Sequence, residues 1–314
     1  MKTILGIEIE TEEGEAHKEI VQAVQDSALN KSLKETDRRQ SFPLRPSSAL
    51  KAKRDLYYGL VNYYEPNKIP KTHFDGRVAM LLQLGHDIED HLTGFIKDVF
   101  PIPDSNQRVE YGFIRTKDNK QIPLKGEFDF TLNVGGELLL CDSKSSSMYP
   151  FKGALPKEEH IAQINLYLHS DWAKSRNITR ALVWYYCKND SAMRICEFSY
   201  NEELALAVLD RFQEIYEAYE KGEVPSREYV YGADWQATYS DFRDHDNKEF
   251  LLEPSETVVL DPLDVPEDKK ELLKYLVLRH GNKNFKIGHK KAVIKLMKTG
   301  LKLKITGKDG WTNV

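Results

Sequence analysis

The chain has 314 residues, 40% of them hydrophobic and 30% charged, with a formal net charge of −4. That length and apolar fraction fill one large or two medium cores, which excludes a disordered chain and a collagen-like fibre. No window approaches the roughly 18 to 20 consecutive apolar residues of a membrane helix. The start, MKTILGIEIETEEGE, turns acidic before a signal peptide could be completed, so a cytoplasmic protein away from membranes is expected.

In chain order, alternation predicts a short strand over Ile4 to Ile9, then a helix from about Glu15 to Leu29 and a polar link ending in the basic cluster Lys34 to Arg39. Ser47, after Pro46, is a candidate N-cap for a helix carrying Leu50, Leu56, Tyr57, Leu60 and Tyr64. A second helix runs from about Phe74 to Phe100, and its many apolar positions predict a largely buried element. The period then changes to strands over Val109 to Arg115, Ile122 to Val134 and Glu137 to Cys141, joined by Asp118-Asn119 and Gly135-Gly136 turns. A helix over Lys157 to Trp172, strands over Ala181 to Cys187 and Met193 to Phe198, and a helix over Asn201 to Lys221 complete an α/β or α+β order.

Residues 222 to 268 are turn-rich and acidic and read as a wrapping segment or linker. The last piece is basic: residues 269 to 314 hold thirteen Lys/Arg against Glu271 and Asp309, a net +11, leaving −15 on the other 268 residues. A basic tail on an acidic body suits contact with a polyanion, and equally a solvated face. The expected organisation is an N-terminal extension (1–40), a core (41–221), the acidic segment (222–268) and a basic C-terminal element (269–314). Its lysines interleave with apolar residues as in a packed helix and strand with a basic outer face able to grip phosphates. Cys141, Cys187 and Cys196 lie in apolar or aromatic runs without CxxC spacing and read as buried thiols.

The chemistry concentrates around Asp142-Ser143-Lys144, which follows the run Leu138 to Cys141. Period-two alternation puts Asp142 and Lys144 on one face of a strand end. Three similar triplets starting at Asp118, Asp246 and Glu267 sit in polar turns and read as surface. Asp129 lies thirteen positions before Asp142, and the intervening Gly135-Gly136 turn can fold the two strands into a hairpin. Downstream, Gln163 and Tyr167 share a helix face at i and i+4; upstream, the long helix carries Gly85-His86-Asp87-Ile88-Glu89.

In this order the four motifs resemble the PD-(D/E)xK nuclease superfamily, most closely the RecB-type exonucleases and, more distantly, lambda-exonuclease-like enzymes. The resemblance implies a restriction-endonuclease-like core with a central mixed sheet flanked by helices, and hydrolysis of phosphodiester bonds at DNA ends. It makes Asp129 and Asp142 metal ligands, with the Ser143 carbonyl as a third donor, and Lys144 the catalytic lysine. Many RecB-type members place His four residues after the helix glycine and lambda-type members place Glu. Here that position is Glu89, with His86 as the second choice. Gln163 and Tyr167 would line the site and the nucleic acid, and the stretch containing Arg45, Ser47, Lys53 and Arg54 resembles the family's N-terminal substrate-contacting helix. The four cysteines of iron–sulfur members are lacking, and Phe128 stands where the family name has proline.

Elementary electrostatics points the same way. Three carboxylates gathered within about 5 Å would repel by roughly 3 kcal/mol per pair at an effective dielectric near 20. One lysine cannot neutralise three, and an all-oxygen donor set favours Mg²⁺ or Mn²⁺. Blander roles stand beside these: a strand-end ion pair for Asp142 and Lys144, a solvent-facing helix residue for Glu89, helix packing for Gln163 and Tyr167, and surface positions for His86, His91, His160 and His169. Trp184-Tyr185-Tyr186 reads as sheet packing, with base stacking on these rings the alternative.

The expectation is a Mg²⁺-dependent DNA exonuclease acting on linear duplex or single strand in recombination, repair or phage DNA processing, in company with recombination or replication proteins and compatible with an oligomer. Its rivals are a structure-specific or restriction-like endonuclease and a nuclease-fold DNA-binding protein that does not cut.

Overall fold

The computed structural model describes residues 2–4, 7–9, 21–31, 41–72, 76–153, 155–307 and 310–313. The polar link with the basic cluster Lys34 to Arg39, and the start of the helix expected from Glu15, lie outside the described residues.

The elements are β1 (Lys2–Ile4), β2 (Ile7–Ile9), α1 (residues 21–31), α2 (Lys53–Tyr64), α3 (Gly76–Val99), β3 (Ser105–Arg115), β4 (Gln121–Val134), β5 (Glu137–Ser146), α4 (Met148–Gly153), α5 (Glu158–His169) and α6 (Asp171–Lys174). They continue with β6 (Arg180–Cys187), β7 (Met193–Ser199), α7 (Glu202–Lys221), α8 (Trp235–Thr238), α9 (Arg243–Asp246), β8 (Thr257–Leu260), α10 (Lys269–His280), β9 (Asn284–Ile287), β10 (Lys290–Met297), β11 (Gly300–Gly307) and β12 (Gly310–Asn313). Among the described residues no helix is long and apolar enough to cross a membrane.

The central sheet has the order β3-β4-β5-β6-β7 and is mixed: β5 and β6 run parallel, and the other neighbours are antiparallel. The β4–β5 hairpin follows from Gly135 and Gly136, whose φ of 62° and 88° suit the two-residue loop between Val134 and Glu137. Asn133 Oδ1 accepts the Gly136 N–H at 3.1 Å and steadies that turn. A parallel β5–β6 pair needs a long crossover, which α4 to α6 supply. The apolar runs Leu138 to Cys141 and Ala181 to Cys187 match strands covered on both faces. On one face, Leu92 and Ile96 of α3 meet Phe130, Leu132, Leu139 and Cys141. On the other, Ile164 and Leu168 of α5 meet Phe128, Leu140 and Val183. The chain is thus mixed α/β with a five-stranded central sheet between helices, as expected.

A neighbouring core joins α2 and α7 to β3 and β4 through Leu56, Leu60, Ile114, Leu124, Phe212 and Ile215, and Phe242 belongs to it. Asn201 caps α7 by accepting the Leu204 N–H, and Gly222 ends the helix in the left-handed region at φ 71°. The last third builds a second five-stranded sheet, β12-β11-β10-β9-β8, closed by α10 around Leu276, Phe285, Ile294 and Leu303. Val230, Phe250 and β8, all within 222–268, belong to this second core or its sheet.

Three local expectations are corrected. The stretch Ile4 to Ile9 is not one strand: β1 and β2 pair antiparallel with Ile4 opposite Ile7. Ser47 caps no helix. It lies in a 3-10 turn over Pro46–Ser48, and α2 begins at Lys53 after Ala52, whose ψ of 137° breaks the helical path. The long helix α3 is not largely buried, because one stripe of it suffices to cover the sheet. Leu81, Leu82, Phe95 and Val99 remain exposed, whereas Leu92 and Ile96 are buried.

Candidate active site

The site forms where β4 and β5 part. Their ladder runs from Val134–Glu137 to Phe130–Cys141 and stops, while β5 continues to Ser146 alongside β6. Phe128 packs on the α5 side and Phe130 on the α3 side, although period two would put them on one face, so β4 turns over at Asp129. Beyond the last ladder pair, the Ser143 N–H finds the Asp129 side chain in place of a β4 carbonyl, donating to Oδ2 at 2.7 Å. A carboxylate is thereby fixed in the fork between two strands.

Asp142 is buried, 1% exposed, and points to the α5 face. Gln163 Nε2 donates to its Oδ1 at 3.2 Å, and Gln163 lies 3.4 Å from the Tyr167 hydroxyl, which donates to the Glu127 carbonyl at 2.8 Å. The i, i+4 pair on α5 therefore ties Asp142 back to β4. Asp142 Oδ2 has no well-aligned hydrogen bond; its neighbour is the Lys144 ammonium at 2.5 Å. Lys144, one residue past the spacer Ser143, is held by charge: Asp142, Asp129 and Glu89 together keep it protonated above the ordinary lysine range, outweighing burial.

Glu89 arrives from α3. Burial raises its carboxyl; Lys144 pulls it down, Asp142 pushes it up, and His86 and the Ser145 N–H favour its charge. Burial and then Asp142 push Asp129 up to about 7, against Lys144 and the Ser143 N–H. Asp129 and Glu89 each feel Asp142 and Lys144, so residues from β4, β5 and α3 share one electrostatic neighbourhood. His86 stands on the exposed side, its Nδ1 3.9 Å from Glu89 Oε2.

Among the described residues, no three His, Cys, Asp or Glu side chains are grouped closely enough to hold a metal ion as they stand. The donors nevertheless fit a hard divalent cation in kind, because the carboxylates offer oxygen only. In this arrangement the Lys144 ammonium serves as the cationic partner of Asp142.

The predicted substrate residues divide. Arg45 and Ser47 are exposed on the turn that packs against α5, and Arg45 donates to Ser41 Oγ. Arg45 also lines a cleft of about 540 Å³ with Lys31, Lys51, Lys71, His86 and Asp241. Lys53 and Arg54 are engaged elsewhere: Lys53 Nζ pairs with Glu214 at 2.7 Å, and Arg54 with Asp246 at 2.8 Å and the Pro225 carbonyl. Their role in the fold is to fasten α2.

His160 and Tyr185 join the site without having been singled out for it. His160 Nδ1 is 2.8 Å from the Tyr185 hydroxyl, and Tyr185 lies opposite Lys144 in the β5–β6 register. Burial, with help from Lys144 and Lys157, lowers His160 to about 3, so its imidazole is neutral. The signal was present: His160 precedes Gln163 by three positions, on the same helical face.

No protein-family model and no curated protein matches the chain. Among solved structures, it is similar to SSO0001 at 16% identity and a TM-score of 0.44, over 71% of this chain and 94% of that one. It is also similar to the alkaline exonuclease LHK-Exo from Laribacter hongkongensis at 13% identity and a TM-score of 0.33, over 45% and 69% of the two chains. The complex of LHK-Exo with dAMP aligns at 14% identity and a TM-score of 0.32, over 56% and 91%. These are distant, partial likenesses, and the chemistry below rests on the site itself.

Proposed function

We propose that the protein is a Mg²⁺- or Mn²⁺-dependent deoxyribonuclease acting as an exonuclease on linear DNA. The observation that carries this reading is that Asp129, Asp142, Glu89 and Lys144, from β4, β5 and α3, share one electrostatic neighbourhood, with the Lys144 ammonium 2.5 Å from the buried Asp142 Oδ2. Asp129, Asp142 and Glu89 would hold the cation, with the Ser143 carbonyl as a further donor and His86 beside Glu89. A bound divalent ion would lower the pKa of water and offset charge on a scissile phosphate.

The chain's own residues supply the rest. Lys144 keeps its proton and offers an N–H to the attacking water and to the charge growing on phosphate oxygen. Gln163 and Tyr167 hold Asp142 in orientation, so its second carboxylate oxygen is presented to the Lys144 ammonium. Arg45, with Lys31, Lys51 and Lys71 along the cleft, would seat the phosphates of the strand entering the site.

The test uses end-labelled linear duplex, single strand and closed circle with Mg²⁺ or Mn²⁺, beside Asp142→Ala and Lys144→Ala. Loss of linear DNA alone, abolished in both variants, is the expected result. Cutting of the circle would make the enzyme an endonuclease, and metal-independent binding without loss of any substrate would overturn catalysis.

A further inference from the structure

The second sheet has a face that the proposed hydrolysis does not use. Phe285, Ala292, Ile294, Leu301 and Leu303 point into its core, so the alternate positions Lys286, Lys291, Val293, Lys295, Lys302 and Lys304 face outward. The register sets Lys286 directly opposite Lys291, and Lys295 directly opposite Lys302. All four are exposed.

Like charges directly opposite each other weaken an antiparallel ladder. The outward positions of β8 to β11 among the described residues include no Asp or Glu to relieve them. The acids nearby lie off the strands: Glu253 is 3.7 Å from Lys295 in an exposed pair, and Glu256 pairs with Lys283. Two opposed lysine pairs across three strands are an arrangement that a polyanion relieves. From Lys291 to Lys295 the strand rises about 13 Å, close to four nucleotide steps of duplex at about 3.4 Å each.

We propose that the outer face of the β8–β12 sheet is a second nucleic-acid site that grips the sugar-phosphate backbone away from the cleaved bond. Demand for a polyanion comes from the lysine pattern alone; the choice of DNA over an acidic protein rests on the nuclease reading. Lysines act there as point charges beside Val259 and Val293, which have no hydrogen-bonding groups to read base edges, so the grip is independent of sequence.

The experiment measures binding of the full chain to a 30-base-pair duplex by fluorescence anisotropy in chelator, between 50 and 300 mM salt. The variant K286Q/K291Q/K295Q/K302Q is expected to lose at least about tenfold in affinity at 150 mM, and its salt slope to fall by about 3.6. K295Q/K302Q alone should lower the slope by about two. Both should melt no lower than the wild type, because repulsion is removed. Wild-type affinity and slope in the quadruple variant would overturn the proposal, as would loss of poly-glutamate binding with DNA binding intact. If the wild type binds DNA but hydrolyses none with Mg²⁺, the nuclease reading fails while a loss in the lysine variants still supports this site.

Discussion

Asp142 and Lys144 leave β5 two residues apart, so one strand end carries both a buried anion and its counter-charge. Removing Lys144 leaves Asp142 buried and unpaired, a change that typically costs about 3 to 5 kcal/mol. Lys144→Ala should therefore melt well below the wild type in chelator, and added Mg²⁺ should restore part of the loss; melting curves with and without Mg²⁺ check this. Asp129 is the pH-sensitive member. With its carboxyl raised to about 7, the folded protein holds a proton that the unfolded chain has already lost above pH 4. Its contribution to stability is complete below the unfolded value and disappears as pH rises through 7. Melting temperature in chelator should fall by several degrees between pH 5 and 8. Asp55, raised to about 6 by burial, adds in the same direction, so the portion removed in Asp129→Asn isolates the site. Equal pH profiles in the two proteins would refute this account of Asp129.

Pro46 of the turn and Tyr167 of α5 both close on Gly126 of β4. A Cβ on Gly126 would lie 2.6 Å from Pro46 Cγ and 2.8 Å from Tyr167 Cε1. Gly126→Ala must push Tyr167 away from the Glu127 carbonyl and loosen the Gln163–Asp142 contact. A stability loss of about 1 to 3 kcal/mol is expected, with a larger fall in hydrolysis rate than in DNA affinity, measured by melting and by single-turnover assay. For α2 the expectation is the reverse. Arg54 and Arg227 both bind Asp246, and Arg54 also binds the Pro225 carbonyl. Arg54→Ala should lower the melting temperature and leave KM for DNA unchanged; a raised KM with an unchanged melt would return Arg54 to the substrate. The sequence cue, two basic residues opening a helix, is the same for either role. Only the acids brought to them by the later chain distinguish the two.

At the scale of the whole molecule, the divisions at 221 and 268 cut through packed units. Phe242 sits in the α2–α7 core and Ser240 donates to the buried Asp55, while β8 pairs with β9 across position 268. A chain ending at Lys221 is expected to lose the cooperative melt of the first core, whereas one ending at Leu251 should retain it. Calorimetry of the two truncations decides. Composition cues of Pro, turns and acids describe how a segment meets water, not which core its few apolar residues enter.

Local chemistry alone determined much of this protein. The Gly135-Gly136 hairpin, the helix from Asn201 to Lys221 and the mixed α/β order follow from spacing and period, because neighbours along a strand or helix meet wherever the element sits, and the candidates Asp129, Asp142, Lys144, Gln163 and Tyr167 are legible through their spacing together with the family resemblance. The tertiary structure decided what depends on distant chain. It assembled the fork at Asp129, brought Glu89 from α3 and His160 with Tyr185 to the lysine, turned Lys53 and Arg54 into structural clamps, and left α3 half covered. It also set lysines of the basic C-terminal element opposite one another on a sheet. Coulomb energy depends on distance in space, and only the folded chain sets those distances.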